Sequence, residues 1–386
     1  MSGSRTDPVE IVVARWGTGF RQRKRFATTA LKTLGMKVGR GNIEEKIREE
    51  ADCLRHRIAE YEGLPFDIAH DVFVGVANII CSMVFGKRYD YKDETFRELS
   101  EAVVTVMFEL GAGQIISVFP LLRFVPVVNR SANNALEELL KIQNVLREEI
   151  SRHREHFDCE NPRDFIDYCL LEQDKSGGLT DENVLFMAQD LFFAGTDTTT
   201  NTLLWSLLYM TLNPDIQNKV QEELDAVVGE GLPTLSHRSQ LPYLNACLLE
   251  AMRIRHISPL AIPHATTETV KVQGYDVLKG TQVLLNLYSV HMDPAYWHDP
   301  HRFDPERFLD AEGNVINKPE SFLPFSGGRR VCLGEQLARM ELYLFFSTLL
   351  QSFTFKTPEG ASPPSTDAVF GITTRPHPFK LCVIPR

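Results

Sequence analysis

The sequence lacks any apolar stretch long enough to cross a membrane. A transmembrane helix needs about 18–20 consecutive apolar residues, and the longest apolar segment, Val72–Phe85, is shorter than that. Its composition instead predicts a helix that is buried on nearly all sides. The polar residues Met1–Asp7 also differ from a secretory signal peptide, in which basic residues precede an apolar run.

The sequence also lacks paired cysteines and interdomain linkers. Its seven cysteines are scattered, odd in number and never spaced as Cys-x-x-Cys, which argues against a disulfide framework and favours a reducing compartment. No stretch rich in Gly, Ser or Pro divides the chain, and no internal repeat is visible. We therefore expect residues 1–386 to form one domain, although the length alone would accommodate two or three.

Acidic residues prevail over basic ones, and the formal net charge is −10. Positive charge is nevertheless concentrated in residues 1–40, where Lys and Arg outnumber Asp and Glu by nine to two. A basic segment of this kind is most often a solvated face, and no nucleic-acid-binding motif accompanies it. The charge pattern therefore predicts no nucleic-acid partner.

Hydrophobic periodicity predicts an α-rich α+β fold with the strands gathered late in the chain. Short strands are expected between Ala265 and Leu287, and a closing hairpin over Val369–Ile384. The region 111–130 is expected to be a loop. Its crowded apolar residues indicate a loop that packs, covers a pocket or touches a lipid surface.

The segment Phe325–Gly334 is Phe-Ser-Gly-Gly-Arg-Arg-Val-Cys-Leu-Gly, and a strongly helical run follows it. Cys332 is therefore expected at a helix N-terminus, where free N–H groups and the helix dipole lower the pKa of a thiol. A thiolate there can bind a metal such as iron, and Arg330 can pair with a carboxylate. For an isolated cysteine, a buried thiol in a glycine-rich turn would be the better interpretation.

A long helix is predicted from a Thr180 cap to about Thr211, and its middle is weakened by Gly195 and a run of threonines. The hydroxyl of Thr198 can bond the carbonyl of Ala194 four residues earlier and bend the helix. By itself this pattern is equally well explained as a kink tolerated in a buried helix. If the cysteine holds a cofactor nearby, the bend would instead open a small groove, with Asp197 and Thr198 able to relay protons.

Glu250 and Arg253 are spaced to pair on one face of a helix. At a surface such a pair contributes little. The neighbouring residues of this helix are apolar, so we predict a buried pair that needs a further partner.

Together these motifs resemble those of the cytochrome P450 monooxygenases. The segment Phe325–Gly334 matches their haem-binding loop Phe-x-x-Gly-x-Arg-x-Cys-x-Gly, in which the cysteine ligates haem iron. Ala194–Thr199 is similar to their oxygen-activating motif, and Pro305–Phe308 to their Pro-Glu-Arg-Phe motif. Pro263–Thr266 and Met292–Trp297 look most like animal microsomal members that oxidise drugs, steroids and fatty acids.

The resemblance implies a role for each matching residue. Cys332 would be the iron ligand of haem b, which would lie between the central helix and the helix after the cysteine loop. Asp197 and Thr198 would deliver protons, and Arg307 would join Glu250 and Arg253 in a structural triad. The implied cofactor contacts are Lys24, Ala194, His264, Phe325, Gly328, Arg330 and Gly334, and the implied substrate contacts are Phe193, Leu260, Ala261, Ile262, Phe370 and Ile372.

The implied activity is the insertion of one oxygen atom from O2 into a lipophilic xenobiotic, steroid or fatty acid. Electrons would come from an NADPH-dependent flavin reductase, with cytochrome b5 as a further donor, and the basic N-terminal face would receive the reductase. The expected location is the cytosolic face of the endoplasmic reticulum, with peripheral membrane contact through 111–130. Two alternatives stay open: a peroxide isomerase or dehydratase, and a haem-binding remnant or regulatory form without this activity.

Two departures from the family pattern qualify these expectations. The family's Trp-Arg-x-x-Arg appears here as Phe20-Arg-Gln-Arg-Lys24, so an indole donor and a guanidinium fork are replaced by a phenyl ring and a point charge. The chain also begins where the basic helix begins. We therefore expect it to lack the family's membrane anchor, first helices and first strands.

Overall fold

The structure is a computed structural model that describes residues 11–36, 43–176, 178–316 and 318–386. The chain divides into two compact units. The first comprises the described parts of Met1–Leu54 and His70–Thr199, with Gln336–Ala338, and the second comprises Arg55–Ala69, the described parts of Thr200–Glu335, and Arg339–Arg386. Within the described residues, no helix combines the length and apolarity that a bilayer crossing requires.

The first part of the chain is largely helical. In order, its α-helices are α1 (Thr18–Leu31), α2 (Ile43–Ala59), α3 (Ala69–Val84), α4 (Glu94–Val118), α5 (Pro126–Glu155), α6 (Phe165–Ser176) and α7 (Asp181–Leu212). Helix α3 is buried on nearly all sides, as its composition predicted. Thr180 caps α7 as expected, because its hydroxyl accepts the N–H of Asn183 at 3.2 Å.

The prediction of a loop over 111–130 was wrong. Helix α4 continues through Gly111 and Gly113 to Val118, a short 3-10 turn covers Pro120–Phe124, and α5 begins at Pro126. The two helices pack as a hairpin, and such tertiary packing overrides the low helix propensity of glycine. The apolar side chains at the tip are exposed, namely Phe119, Leu121, Phe124, Val125 and Val127.

The later part of the chain combines helices with small antiparallel sheets of two strands each, four of them among the described residues. Its further helices are α8 (Pro214–Val227), α9 (Pro242–Ile254), α10 (Leu287–His291) and α11 (Glu335–Ser352). The first strands are β1 (His264–Ala265), β2 (Val270–Val272), β3 (Tyr275–Val277) and β4 (Gln282–Val283), and the later ones are β5 (Phe353–Lys356), β6 (Ala368–Phe370), β7 (Thr374–Pro376) and β8 (Cys382–Pro385).

The predicted closing hairpin is only half correct. Strands β6 and β7 pair with each other, but β8 pairs with β5, the strand that directly follows the cysteine helix. Sequence pattern alone could not assign the partner of β8, because strand pairing depends on contacts distant in the chain. The pairing of β5 with β8 closes the C-terminus of the chain onto the end of α11.

Candidate active site

The cysteine loop, Phe325–Gly334, is a tight structure that ends at the start of α11. Ser326 and Gly328 both adopt left-handed backbone conformations, with φ of 60° and 70°. The N–H of Cys332 donates to the carbonyl of Phe325 at 3.1 Å and so closes the loop. Left-handed backbone conformations of residues other than glycine are energetically costly and cluster at functional sites. Ser326 is therefore a candidate site residue that the sequence motifs did not indicate.

The loop presents its cysteine to open space. Cys332 is exposed, whereas Cys81, Cys169 and Cys247 are buried. A β-carbon added at Gly328 or Gly334 would meet no neighbouring atom within 4 Å. The thiol is therefore accessible to a ligand, and the alternative of a buried thiol in a glycine-rich turn does not describe this site.

The first residue of the loop, Phe325, is held by α11. The guanidinium of Arg339 lies 4.7 Å from the centre of the Phe325 ring, and its Nε donates to Glu335 at 2.9 Å. A cation over an aromatic face is attracted to the ring electrons. Arg339 was missed in the sequence, although its spacing of four residues from Glu335 indicates an ion pair on the helix.

Two further predicted cofactor contacts lie in the same unit as the loop. Arg330 is half-buried, and burial lowers the pKa of its guanidinium. His264 is half-buried on β1, where it pairs in register with Val283 of β4. Both residue types supply donors for carboxylates.

The ion pair predicted on α9, Glu250 with Arg253, is fully buried. Its further partner is Arg307, as the family resemblance implied. Arg253 donates through Nε and Nη2 to the two oxygens of Glu250 at 2.7 and 2.8 Å. Arg307 donates through Nε to Glu250 at 3.1 Å. Burial raises the pKa of Glu250, while the two guanidiniums lower it. Arg253 also donates to the carbonyls of His291 and Pro300, both at 2.8 Å, so the pair fastens the chain that leads to the cysteine loop.

Helix α7 exposes one narrow face in its middle. The hydroxyl of Thr198 donates to the carbonyl of Ala194 at 2.6 Å, the bond that the sequence predicted. Ala194 is exposed and Thr198 half-exposed, whereas Asp197 is buried. The Thr198 proton is therefore engaged by the carbonyl of Ala194 within the helix.

Gly195 allows close packing within the first unit. A β-carbon at Gly195 would lie 2.5 Å from Cδ1 of Ile80 on α3. The close approach of α3 and α7 therefore requires glycine at this position.

We expect Gly195→Ala to destabilise the protein by about 1–2 kcal/mol, because overpacking against Ile80 outweighs the gain in helix propensity. Ile80→Val removes Cδ1 but keeps Cγ1, which would lie 2.9 Å from the added carbon, so the double variant should recover part of the loss. Chemical unfolding of the parent, the two single variants and the double variant measures the energetic coupling between positions 80 and 195. A Gly195→Ala protein as stable as the parent would contradict the assigned contact.

In the second unit, hydrogen bonds join the two segments that lead to the predicted substrate residues. The hydroxyl of Thr374 on β7 donates to the carbonyl of His256 at 3.0 Å, and its N–H donates to Ile257 at 2.8 Å. These bonds tie the hairpin that carries Phe370 and Ile372 to the segment that leads to Leu260, Ala261 and Ile262. Ala261 has a φ of 53°, and Leu260 and Phe370 expose large apolar surfaces.

The remaining predicted residues lie in the first unit. Phe193 is half-buried beside Phe192, with ring centres 6.3 Å apart. On α1, Phe20 is buried against Trp16, and the Lys24 ammonium lies 6.0 Å from the Phe20 ring. The phenyl ring that replaces the expected indole therefore packs as core.

The donor set fits a haem in this structure. A porphyrin is a large apolar disc with two carboxylates. The cysteine loop combines an exposed thiol, two glycines at which an added β-carbon would meet no atom within 4 Å, and the guanidinium of Arg330. Thiolate sulfur is a recognised axial ligand of haem iron.

Comparisons with known proteins agree with this arrangement. A family model described as Cytochrome P450 matches residues 5–383. The chain is 41% identical to mouse cytochrome P450 2U1 over 97% of its own length and 72% of that relative. It is 39% identical to rat cytochrome P450 2D4 and to human cytochrome P450 2D6, in each case over 97% of this chain and 76% of the relative.

Proposed function

We propose that this chain, which belongs to the cytochrome P450 family and is therefore a haem-dependent monooxygenase, oxidises a lipophilic small molecule. Its electrons would come from an NADPH-dependent flavin reductase. The observation that carries the proposal is the exposed Cys332 in its closed loop. The same unit holds the apolar segment Leu260–Ile262, in which Ala261 has a left-handed backbone conformation. In this reaction two electrons, two protons and O2 yield an oxygenated product and one water.

The chain's own residues would hold the cofactor and handle protons. Haem ligated by Cys332 supplies the activation of dioxygen. Arg330 and His264 would donate to its carboxylates, and Phe325, Gly328 and Gly334 would line its face. In the first unit, Lys24 and Ala194 are the proposed contacts.

Thr198 and Asp197 would move protons on α7. The Thr198 hydroxyl donates to the carbonyl of Ala194 at 2.6 Å, and we expect its oxygen to accept a hydrogen bond in the proton transfer. Asp197 is the adjacent carboxylate, and its burial shields it from bulk water. A positioned hydroxyl and carboxylate can pass protons in steps, which is general acid catalysis.

An apolar substrate fits the residues proposed to contact it. Phe193, Leu260, Ala261, Ile262, Phe370 and Ile372 carry no charge. Pockets for small molecules are lined mainly by such side chains, and a xenobiotic, steroid or fatty acid meets this requirement.

The electron donor would be an acidic flavoprotein, the NADPH-dependent reductase, with cytochrome b5 as a further donor. Helix α1 carries exposed Arg21 and Arg25, and the cysteine loop carries exposed Arg329. Positive charge of this kind accelerates association with an acidic partner. The rate of reduction should therefore fall as salt increases.

We further propose the cytosolic face of the endoplasmic reticulum as the site of action, with contact through the tip between α4 and α5. Phe119, Leu121, Phe124 and Val127 are exposed there. Exposed apolar clusters of this type mark surfaces that bind membranes or proteins.

Thr198→Ala tests the proton role and the reaction together. We expect haem binding to persist while the product formed per NADPH falls by roughly tenfold or more, because a proton donor is lost, and peroxide to rise in proportion. The readouts are the spectrum of the reduced carbon-monoxide adduct, NADPH consumption, peroxide, and the incorporation of one atom of labelled O2 into product.

Thr211→Ala is the matched control. Thr211 makes the same bond to a carbonyl four residues earlier, at 2.9 Å to Leu207, but it is buried. Wild-type coupling in Thr198→Ala would refute the proton role. Product without labelled oxygen would favour the isomerase alternative, and a parent protein that binds no haem would favour the remnant.

A further inference from the structure

The backbone N–H and carbonyl of Leu323 each contact a buried histidine. Nε2 of His256 lies 3.2 Å from the Leu323 carbonyl, and the Leu323 N–H donates to Nε2 of His291 at 2.8 Å. The two imidazole rings lie 4.8 Å apart. Leu323 stands two residues before Phe325, where the cysteine loop begins. All of these residues belong to the second unit.

The hydrogen bonds assign the protons of both rings. His256 accepts the N–H of Ser258 at Nδ1, at 3.1 Å, so it donates from Nε2. His291 accepts at Nε2, so in the neutral ring its proton is on Nδ1. Burial lowers the pKa of His256 to about 4 and that of His291 to about 3. Both rings are therefore neutral at pH 7, as these bonds require.

The arrangement has an energetic cost in the native state. Nδ1 of His291 is buried and has no hydrogen-bond partner. Leaving a buried N–H unsatisfied is unfavourable, and an apolar side chain at this position would avoid that penalty. An apolar side chain, however, would offer no acceptor for the Leu323 N–H in place of Nε2.

The two histidines also connect Leu323 to the rest of the unit. The His291 carbonyl accepts from Arg253 at 2.8 Å, and the His256 carbonyl accepts from Thr374 at 3.0 Å. The Leu323 carbonyl additionally accepts the N–H of Ser326 at 3.0 Å, which is the turn that starts the loop. A continuous series of hydrogen bonds thus leads from the buried arginine to the cysteine loop.

We propose that His256 and His291 are positioning residues that clamp the Leu323 backbone through its N–H and carbonyl. The clamp fixes the cysteine loop and thereby holds the Cys332 thiolate as an iron ligand. The role of the clamp in ligation rests on the proposed function, whereas its effect on the loop does not. The histidines touch neither the substrate nor the cofactor in this proposal, and they act through the backbone of residues 323–332.

The test compares His256→Phe and His291→Phe with His256→Gln and His291→Gln. A glutamine amide can donate or accept near the place of Nε2, whereas phenylalanine fills the space without a polar atom. His301→Phe, at an exposed histidine of the same unit, is the matched control. Amide hydrogen exchange of peptides that cover residues 323–334 is measured on the haem-loaded protein and on the protein without haem.

We expect each Phe variant to exchange roughly tenfold faster in this peptide, since one hydrogen bond of the clamp is lost, with β5 and β8 unchanged. Their reduced carbon-monoxide adducts should convert faster to the spectrum of neutral thiol ligation. The Gln variants and His301→Phe should behave like the parent. If a Phe variant does not fold, exchange in the Gln variant of the same residue is the deciding measurement. Exchange as slow as in the parent supports the clamp.

Unchanged loop exchange in both Phe variants would overturn the proposal, and so would Gln variants that exchange as fast as the Phe variants. A parent protein that never shows thiolate ligation would refute the proposed function. The exchange data from the haem-free chain would still decide whether the clamp holds the loop.

Discussion

Replacing Cys332 with alanine is expected to abolish the red-shifted Soret band of the reduced carbon-monoxide adduct. Monooxygenation should fall by at least about three orders of magnitude, equivalent to roughly 4 kcal/mol in the activation barrier. The reason is that thiolate sulfur donates electron density to iron and favours O–O cleavage, and alanine has no donor atom. Absorbance spectroscopy after haem reconstitution measures the first effect, and product formation measures the second.

The variant should fold normally, because the Cys332 side chain is exposed and the closure of its loop uses its backbone N–H. Its thermal unfolding without haem should therefore match that of the parent. Cys159→Ala is the matched control, since Cys159 is the other exposed cysteine among the seven. A Cys159→Ala protein with the parent spectrum and a Cys332→Ala protein without it would assign the ligand. A shifted band that survives in Cys332→Ala would contradict the assignment.

The cysteine loop was predictable from sequence because its determinants are local. Glycine at 328, the following helix and the cysteine all lie within ten consecutive residues, and short-range geometry fixes their arrangement. The ends of α7 were predictable for the same reason, since Thr180 and the Asn213–Pro214 pair act on adjacent backbone.

The ion triad was a different case. The spacing of Glu250 and Arg253 indicated a pair, and the apolar helix indicated burial, but Arg307 lies far along the chain. Only the resemblance to a family supplied that partner, and the structure shows the contact at 3.1 Å.

The parts that could not be predicted depend on neighbours distant in sequence. Nothing around Gly195 indicates that Ile80 occupies the space beside it, and nothing around His256 or His291 indicates Leu323. The helical course of 111–118 likewise follows from packing against α5, which overrides the local preference of two glycines. Sequence reasoning therefore identified features with local determinants more reliably than the packing contacts around them.

Replacing Glu250 is expected to have the largest effect on stability. Glu250→Gln keeps the shape of the side chain but leaves Arg253, which is fully buried, without its counter-charge. Breaking a buried pair by removing one partner costs about 3–5 kcal/mol, and a typical domain is stable by only about 5–15 kcal/mol. We therefore expect a large fall in the urea midpoint and little haem incorporation on expression.

Glu94→Gln provides a stringent control for this prediction. Glu94 and Arg97 on α4 have the same spacing and order as Glu250 and Arg253, and they also form an ion pair, but both are exposed. Exposed pairs contribute little, so this variant should unfold like the parent. If both variants unfolded like the parent, burial of the triad would not govern stability. If Glu250→Gln were unstable yet gave a normal carbon-monoxide spectrum in its folded fraction, the triad would serve the fold without fixing the cysteine loop. Loss of both stability and thiolate ligation is the expected outcome, because Arg253 bonds the carbonyl of His291, whose ring holds Leu323 at the base of that loop.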